Sequence, residues 1–147
     1  MSSQYFLLAI AAGTVLPLQA LVNAQLGRVL GGPLWAVAVS FLVGTLGLTA
    51  FQLVFLRSAL PSLSHAAGPL WIWLGGLLGA VYVAGVVITV PRLGPAPMIA
   101  LVVFGQMMAA LLLGHFGVMA DTVQPITAQK LIGAALLMLG VILITRP

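Results

Sequence analysis

The sequence predicts an all-α membrane protein, a bundle of five transmembrane helices that we expect to pair into a dimer. Of its 147 residues, 63% are hydrophobic and 4% are charged, whereas a soluble domain carries roughly 25% charged residues. Five apolar runs are each long enough to cross a bilayer as a helix. The basic residues stand singly at or near the ends of these runs, which is the usual membrane-flanking pattern.

The composition also excludes several classes of function. The net charge is +4, but the bases are scattered, whereas nucleic-acid-binding proteins cluster them on one face. Cysteine is absent, so there is no disulfide framework and no thiolate metal site. The sequence has no paired carboxylates, HExxH motif or P-loop, and an intramembrane enzyme needs an acid, base or nucleophile at depth. We therefore expect no nucleic-acid partner, no metal or cofactor, and no catalysis.

The first span is predicted at about 5–26. The N-terminus lacks a basic n-region, so we expect this span to be retained rather than cleaved. Pro17 should kink the helix unless neighbouring groups compensate. Gln19 and Asn23 are four residues apart and so share a helix face. Amides are costly to expose to lipid, so this face should meet another helix or line a watery cavity, and the sequence leaves both readings open.

The second and third spans are predicted at about 34–56 and 70–90. Gly31, Gly32 and Pro33 form the turn before the second span, with Pro33 suited to a first helical turn. In the third span, Gly75 and Gly79 form a small-residue helix-contact motif. Tyr82 lies near mid-depth, where its hydroxyl needs a partner, so it either lines a cavity or bonds to a neighbouring helix.

The fourth and fifth spans are predicted at about 98–116 and 128–145. The prolines and glycine of 91–97 should allow little helix before Met98. Gln106 lies near the centre of the fourth span. In the fifth, Gly133 and Gly140 mark a packing face. The chain thus reads as one transmembrane domain over 1–147.

The basic residues are almost evenly divided between the two sides of the membrane. Arg57 and Lys130 lie on the side of the N-terminus, and Arg28, Arg92 and Arg146 lie on the other. The positive-inside rule needs an excess on one side. Either the orientation is weakly set, or the protein inserts both ways and pairs as an antiparallel dimer, which would rebuild an inverted-repeat transporter from two copies.

The ordered set of short motifs along the chain resembles the drug/metabolite transporter superfamily, and specifically its small five-span YdcZ-like branch. The motifs that carry this resemblance are Gly13, Gln19 and Asn23–Gly27, Phe41–Thr45, Leu74–Ala80, Pro91–Gly94, Gly105–Gln106, His115–Gly117, Leu131–Gly133 and Leu139–Val141. Spans three to five also look like the last three spans of small multidrug resistance proteins. The resemblance covers essentially the whole chain.

The resemblance implies a multi-pass transport protein of the bacterial inner membrane that works as a dimer or with a related subunit. The family pattern has an acidic residue just before the His-Phe-Gly motif, where this chain has Gly114. Small multidrug resistance proteins also carry a membrane-embedded glutamate in their first span, and no predicted span here contains an acid. Proton coupling through a buried carboxylate is therefore not implied, and His115 and Asp121 are the candidates to replace it.

The leading hypothesis is a transporter of a small polar, cationic or amphipathic molecule, working by alternating access in a dimer. Its substrate cavity would be lined by Gln19, Asn23, Tyr82 and Gln106. Amides suit neutral polar or weakly cationic groups, and aromatic rings suit cations. The alternatives are a non-transporting scaffold or accessory subunit, and an intramembrane enzyme that would depend on Tyr82.

Overall fold

The computed structural model describes residues 3–57, 74–118 and 122–146, and within these ranges the chain forms five α-helices. Their bounds are α1 Ser3–Val29, α2 Pro33–Val54, α3 Gly75–Leu93, α4 Pro95–His115 and α5 Ala128–Thr145. All five are long and apolar enough to cross a membrane. The all-helical fold predicted from the sequence is therefore confirmed for the described residues.

The prediction of a helix-free segment at 91–97 was wrong. α3 continues through Pro91 to Leu93, and α4 begins at Pro95, so only Gly94 separates them. Pro91 lies in the last turn, where its missing N–H removes at most one helical hydrogen bond. Pro95 suits a first helical turn because that N–H has no intrahelical partner anyway. Gly94 makes the break with a φ of +79°, a value that glycine adopts at little cost.

Contacts divide the chain into two compact units, Met1–Arg92 and Leu93–Pro147. In the first unit α1 and α2 are direct neighbours. An ideal Cβ on Gly27 would lie 3.3 Å from Cα of Pro33, so glycine is what permits the two chain segments to approach this closely. α1 also continues as one helix past Pro17, and this proline is half-buried.

Within the first unit, helix α3 packs against α2 through valines. Val37 of α2 forms a buried cluster with Val83 and Val87 of α3. Further along, an ideal Cβ on Gly79 would lie 3.4 Å from Cζ of Phe41. Gly79 therefore makes the α2–α3 contact expected of its motif, whereas a Cβ on Gly75 would meet no described atom within 4 Å.

In the second unit α4 and α5 are the neighbouring pair. Met98 of α4 and Ala134 and Val141 of α5 are its buried apolar residues. Thr127 caps α5, since its Oγ1 accepts a hydrogen bond from the backbone N–H of Lys130 at 3.3 Å. Gly133 and Gly140 are adjacent in sequence to the buried positions, but an added Cβ on either would meet no described atom within 4 Å. The predicted glycine face of α5 is thus not used within this unit.

Candidate functional site

Among the described residues of the first unit, Asn23 is the buried polar side chain. It is 3% exposed, and its Nδ2 makes no hydrogen bond with any residue that the structure describes. It lies on the buried stripe of α1 between Ala20 and Gly27, the latter being the point of close approach to the start of α2. A buried amide donor without a partner costs about 1–3 kcal/mol. Such a group is worth explaining by function, because folding alone does not favour it.

Gln19 does not share the burial of Asn23, although the two were expected to share a face. Gln19 is exposed, whereas Ala20 and Asn23 are buried. Residues four apart on a helix differ by roughly 40° around its axis. The edge of the buried face of α1 falls within that angle, so Gln19 lies just outside it.

Tyr82 is half-buried on α3 and packs against the Val37–Val83–Val87 cluster. Tyr82 therefore lies beside the α2–α3 contact of the first unit. This contact agrees with a tyrosine that serves helix packing, one of the two readings that the sequence left open.

Gln106 belongs to the second unit and lies near the middle of α4. Its side chain is exposed, and so are the residues Gly105, Ala109 and Ala110 around it. An added Cβ on Gly105 would meet no described atom within 4 Å. The amide is thus presented from a smooth surface of small residues on an otherwise apolar helix.

The two candidates for proton coupling differ in what the structure shows. His115 is exposed at the end of α4, and its Nδ1 accepts a hydrogen bond from the backbone N–H of Ile126 at 3.3 Å. Asp121 lies outside the described residues. Within the described ranges, no group of three or more His, Cys, Asp or Glu side chains could hold a metal ion.

A cavity in the first unit was missed by the sequence reasoning. It measures about 490 Å³ and opens where α1 ends, α2 begins and α3 ends. Its lining includes Arg28, Gly31, Gly32, Pro33 and Arg92, and we call it the arginine cavity. The only signal in the sequence was that Arg28 and Arg92 fall on the same side of the membrane.

The predicted site residues are therefore distributed over both units. Asn23, Tyr82 and Gln19 belong to the first, and Gln106 and His115 belong to the second. Among the described residues of the first unit, Nδ2 of Asn23 is the buried side-chain donor that has no hydrogen-bond partner. In the second, Gln106 is a polar group at mid-helix on an exposed face.

Comparison with known proteins gives the family. The chain matches the family described as "Putative inner membrane exporter, YdcZ" over residues 4–143. No curated protein and no solved structure matches the chain. The family match spans nearly the whole sequence and reaches into all five helices, and it confirms the resemblance carried by the motifs. The chain belongs to the YdcZ family of multi-pass inner-membrane proteins.

Proposed function

We propose that the protein exports a small polar, cationic or amphipathic molecule across the inner membrane, by alternating access in a dimer. Membership of a family described as exporters supports the direction and the class of activity. The five apolar helices and the absence of cysteine and of paired carboxylates from the sequence fit a carrier better than an enzyme.

The observation that carries the proposal is the exposed amide of Gln106 near the middle of α4. Polar side chains in membrane helices almost always face a bundle interior or a watery cavity, because hydrocarbon leaves their hydrogen bonds unmet. An exposed amide at mid-helix therefore needs a polar environment or a partner. A substrate pathway near the bilayer midplane is where transporters place such groups.

Asn23 supports the same proposal from the first unit. Its Nδ2 is a buried donor with no partner among the described residues. An acceptor oxygen or an aromatic face on a substrate would satisfy it once α1 and α2 separate. Together with Gln19 and Tyr82, these amides supply hydrogen bonds and one aromatic ring, a lining suited to neutral polar and weakly cationic molecules.

Small-residue faces on α2 and α5 support the assembly of two copies. An added Cβ would meet no described atom within 4 Å at the following glycines of α2 and α5: Gly44, Gly47, Gly133 and Gly140. In a membrane such faces let helices approach closely. We propose that a second copy, or a related subunit, packs here, in parallel or antiparallel orientation.

Transport by purified protein in liposomes tests the proposal. The probes are ethidium, tetraphenylphosphonium and the neutral amide nicotinamide. Gln106→Leu and Asn23→Leu should each abolish transport of whichever probe the native protein carries, while the yield of dimer is unchanged. Gln52→Leu is the matched control, because Gln52 is also an exposed amide but lies near the end of α2. Transport that survives both substitutions would refute the proposed substrate cavity lined by these amides.

A non-transporting accessory subunit is the other candidate. The glycines of α2 and α5 where an added Cβ would meet no described atom within 4 Å favour it as well, because they could pack against a partner subunit. It predicts a different pattern in the same experiment. No probe would be transported, and Gln106→Leu would reduce association of subunits instead. Cross-linking yield in the liposomes measures this directly.

A further inference from the structure

The arginine cavity lies at one end of the first unit, and two arginines are among the residues that line it. Arg28 is in the last turn of α1, and Arg92 is in the last turn of α3. Apolar groups complete the lining from α3, namely Val87, Ile88 and Pro91. The volume of about 490 Å³ falls in the range of small-molecule sites, roughly 300–1,000 Å³.

The charge of this cavity is not balanced by the unit that forms it. The chain contains one acidic residue, Asp121, so the first unit, Met1–Arg92, has no carboxylate side chain at all. The two arginines that line the cavity therefore have no acidic side chain of their own unit as counter-ion. A molecule that brings negative charge would supply it.

The backbone at this place leaves room for a ligand. Gly27, Gly31 and Gly32 line the cavity without side chains, so a ligand can approach the main chain. Pro33 starts α2 beside them and has no N–H to donate, and the N–H of Gly32 is already bonded to the carbonyl of Gly27. The two arginines therefore supply the positive charge of the site.

The cavity lies at the level of the membrane surface. It sits where α1 and α3 end and α2 begins, all at one end of membrane-spanning helices. Trp35, 67% exposed in the first turn of α2, marks the same level, because tryptophan prefers the bilayer interface. Phosphate groups are the anions concentrated there.

We propose that the arginine cavity binds a phosphate group, held by the guanidinium groups of Arg28 and Arg92. Arginine suits this ligand because its planar fork donates two parallel hydrogen bonds to phosphate oxygens. Basic pockets between transmembrane helices bind lipid headgroups in this way. The same chemistry fits a soluble phosphate monoester, and the experiment below separates the two sources. The site is distinct from the proposed amide-lined transport cavity, and the result of its test does not depend on that proposal.

Equilibrium binding to the full-length protein in detergent tests the site. The probes are dihexanoyl phosphatidylglycerol, which is anionic, dihexanoyl phosphatidylcholine, which is zwitterionic, and glycerol 3-phosphate, which is soluble. Arg28→Gln and Arg92→Gln should each weaken binding of the anionic probe about fivefold, and the double variant roughly 25-fold. The Arg28→Lys, Arg92→Lys double variant keeps both charges and should fall between native and neutralised protein.

Arg146→Gln is the matched control, because Arg146 also stands at a helix C-terminus, in the second unit. It should change binding less than twofold. Preference for phosphatidylglycerol over glycerol 3-phosphate identifies a lipid headgroup, and the reverse preference identifies a soluble phosphate ester. Equal binding by native and doubly neutralised protein, or an equal loss in the Arg146→Gln variant, overturns the proposal.

A second measurement needs no variant. Phenylglyoxal modifies accessible guanidinium groups, and mass spectrometry of peptides from the treated native protein reports each arginine separately. The bound probe should slow modification of Arg28 and Arg92 at least threefold and leave Arg146 unchanged. Uniform modification with and without the probe overturns the proposal even if the neutralised variants fail to fold.

Discussion

The backbone N–H of Ile126 donates a hydrogen bond to Nδ1 of His115, which joins the segment before α5 to the last residue of α4. The N–H of Gln124 donates to the carbonyl of Gly114 at 2.8 Å and strengthens the same connection. This bond holds the end of α4 to the segment before α5, so His115 has a structural task in this unit.

His115→Ala should therefore lower the stability of the protein. The lost hydrogen bond is worth about 1 kcal/mol, or a fall in Tm of roughly 2–4 °C for a domain of this size. Gln129→Ala, at an exposed position in the first turn of α5, is the control and should leave Tm unchanged. The pH profile of transport should be the same in both variants. An altered pH profile at unchanged Tm would instead assign His115 to proton coupling.

Gly117→Ala should be more damaging than its size suggests. Gly117 has a φ of +62°, and an added Cβ would lie 2.9 Å from Cγ2 of Val123. Backbone strain and the clash together should cost about 1–3 kcal/mol. Gly94→Ala is the matched control, because its φ is +79° but its nearest contact is ordinary, Cδ of Pro97 at 3.9 Å.

The clash can be separated from the strain by a second substitution. The Gly117→Ala, Val123→Ala double variant should recover part of the lost stability, since the methyl that would clash is removed. Thermal unfolding in detergent measures all three variants. No recovery in the double variant would mean that the Val123 side chain moves aside without loss of stability. Backbone strain at residue 117 would then account for the whole loss.

Gly79→Leu should loosen the contact between α2 and α3. An added Cβ at Gly79 already reaches within 3.4 Å of Phe41, so a longer side chain must displace that ring. Phe41 is 36% exposed, so the ring has room to move, and the cost should fall near the lower end of the roughly 1–3 kcal/mol range for overpacking. Gly75→Leu, which meets no described atom, is the control. Equal loss of Tm in both would contradict the specific role of Gly79.

Asn23→Leu should separate stability from function. Leucine is close to asparagine in shape and removes the buried donor that has no described partner. Relief of that cost should leave Tm unchanged or raise it by a few degrees, because an unpaired buried donor costs about 1–3 kcal/mol. Transport should nevertheless be lost. A clear fall in Tm would show that the amide is a structural hydrogen-bonding group and would remove it from the substrate site.

Much of the fold could be read from the sequence because a bilayer leaves few options. A long apolar run must be helical where water cannot satisfy the backbone. The predicted fifth span, 128–145, agrees with α5, Ala128–Thr145. The predicted helix-free segment at 91–97 was wrong because proline is tolerated in the first and last turns of a helix. Pro91 and Pro95, on either side of Gly94, are therefore compatible with helix up to Leu93 and from Pro95 onwards.

The sequence by itself therefore determined the number and approximate bounds of the helices, the membrane location and the family. Only the tertiary structure decided which side of each helix packs. It buried Asn23 and exposed Gln19 one turn away, and it placed Arg28 and Arg92 on one cavity although 64 positions separate them, from 28 to 92. The physical reason is that lipid and protein interior are both apolar, so hydropathy does not distinguish the packed face of a helix from the lipid-facing one. Close contacts between particular small residues decide which face packs.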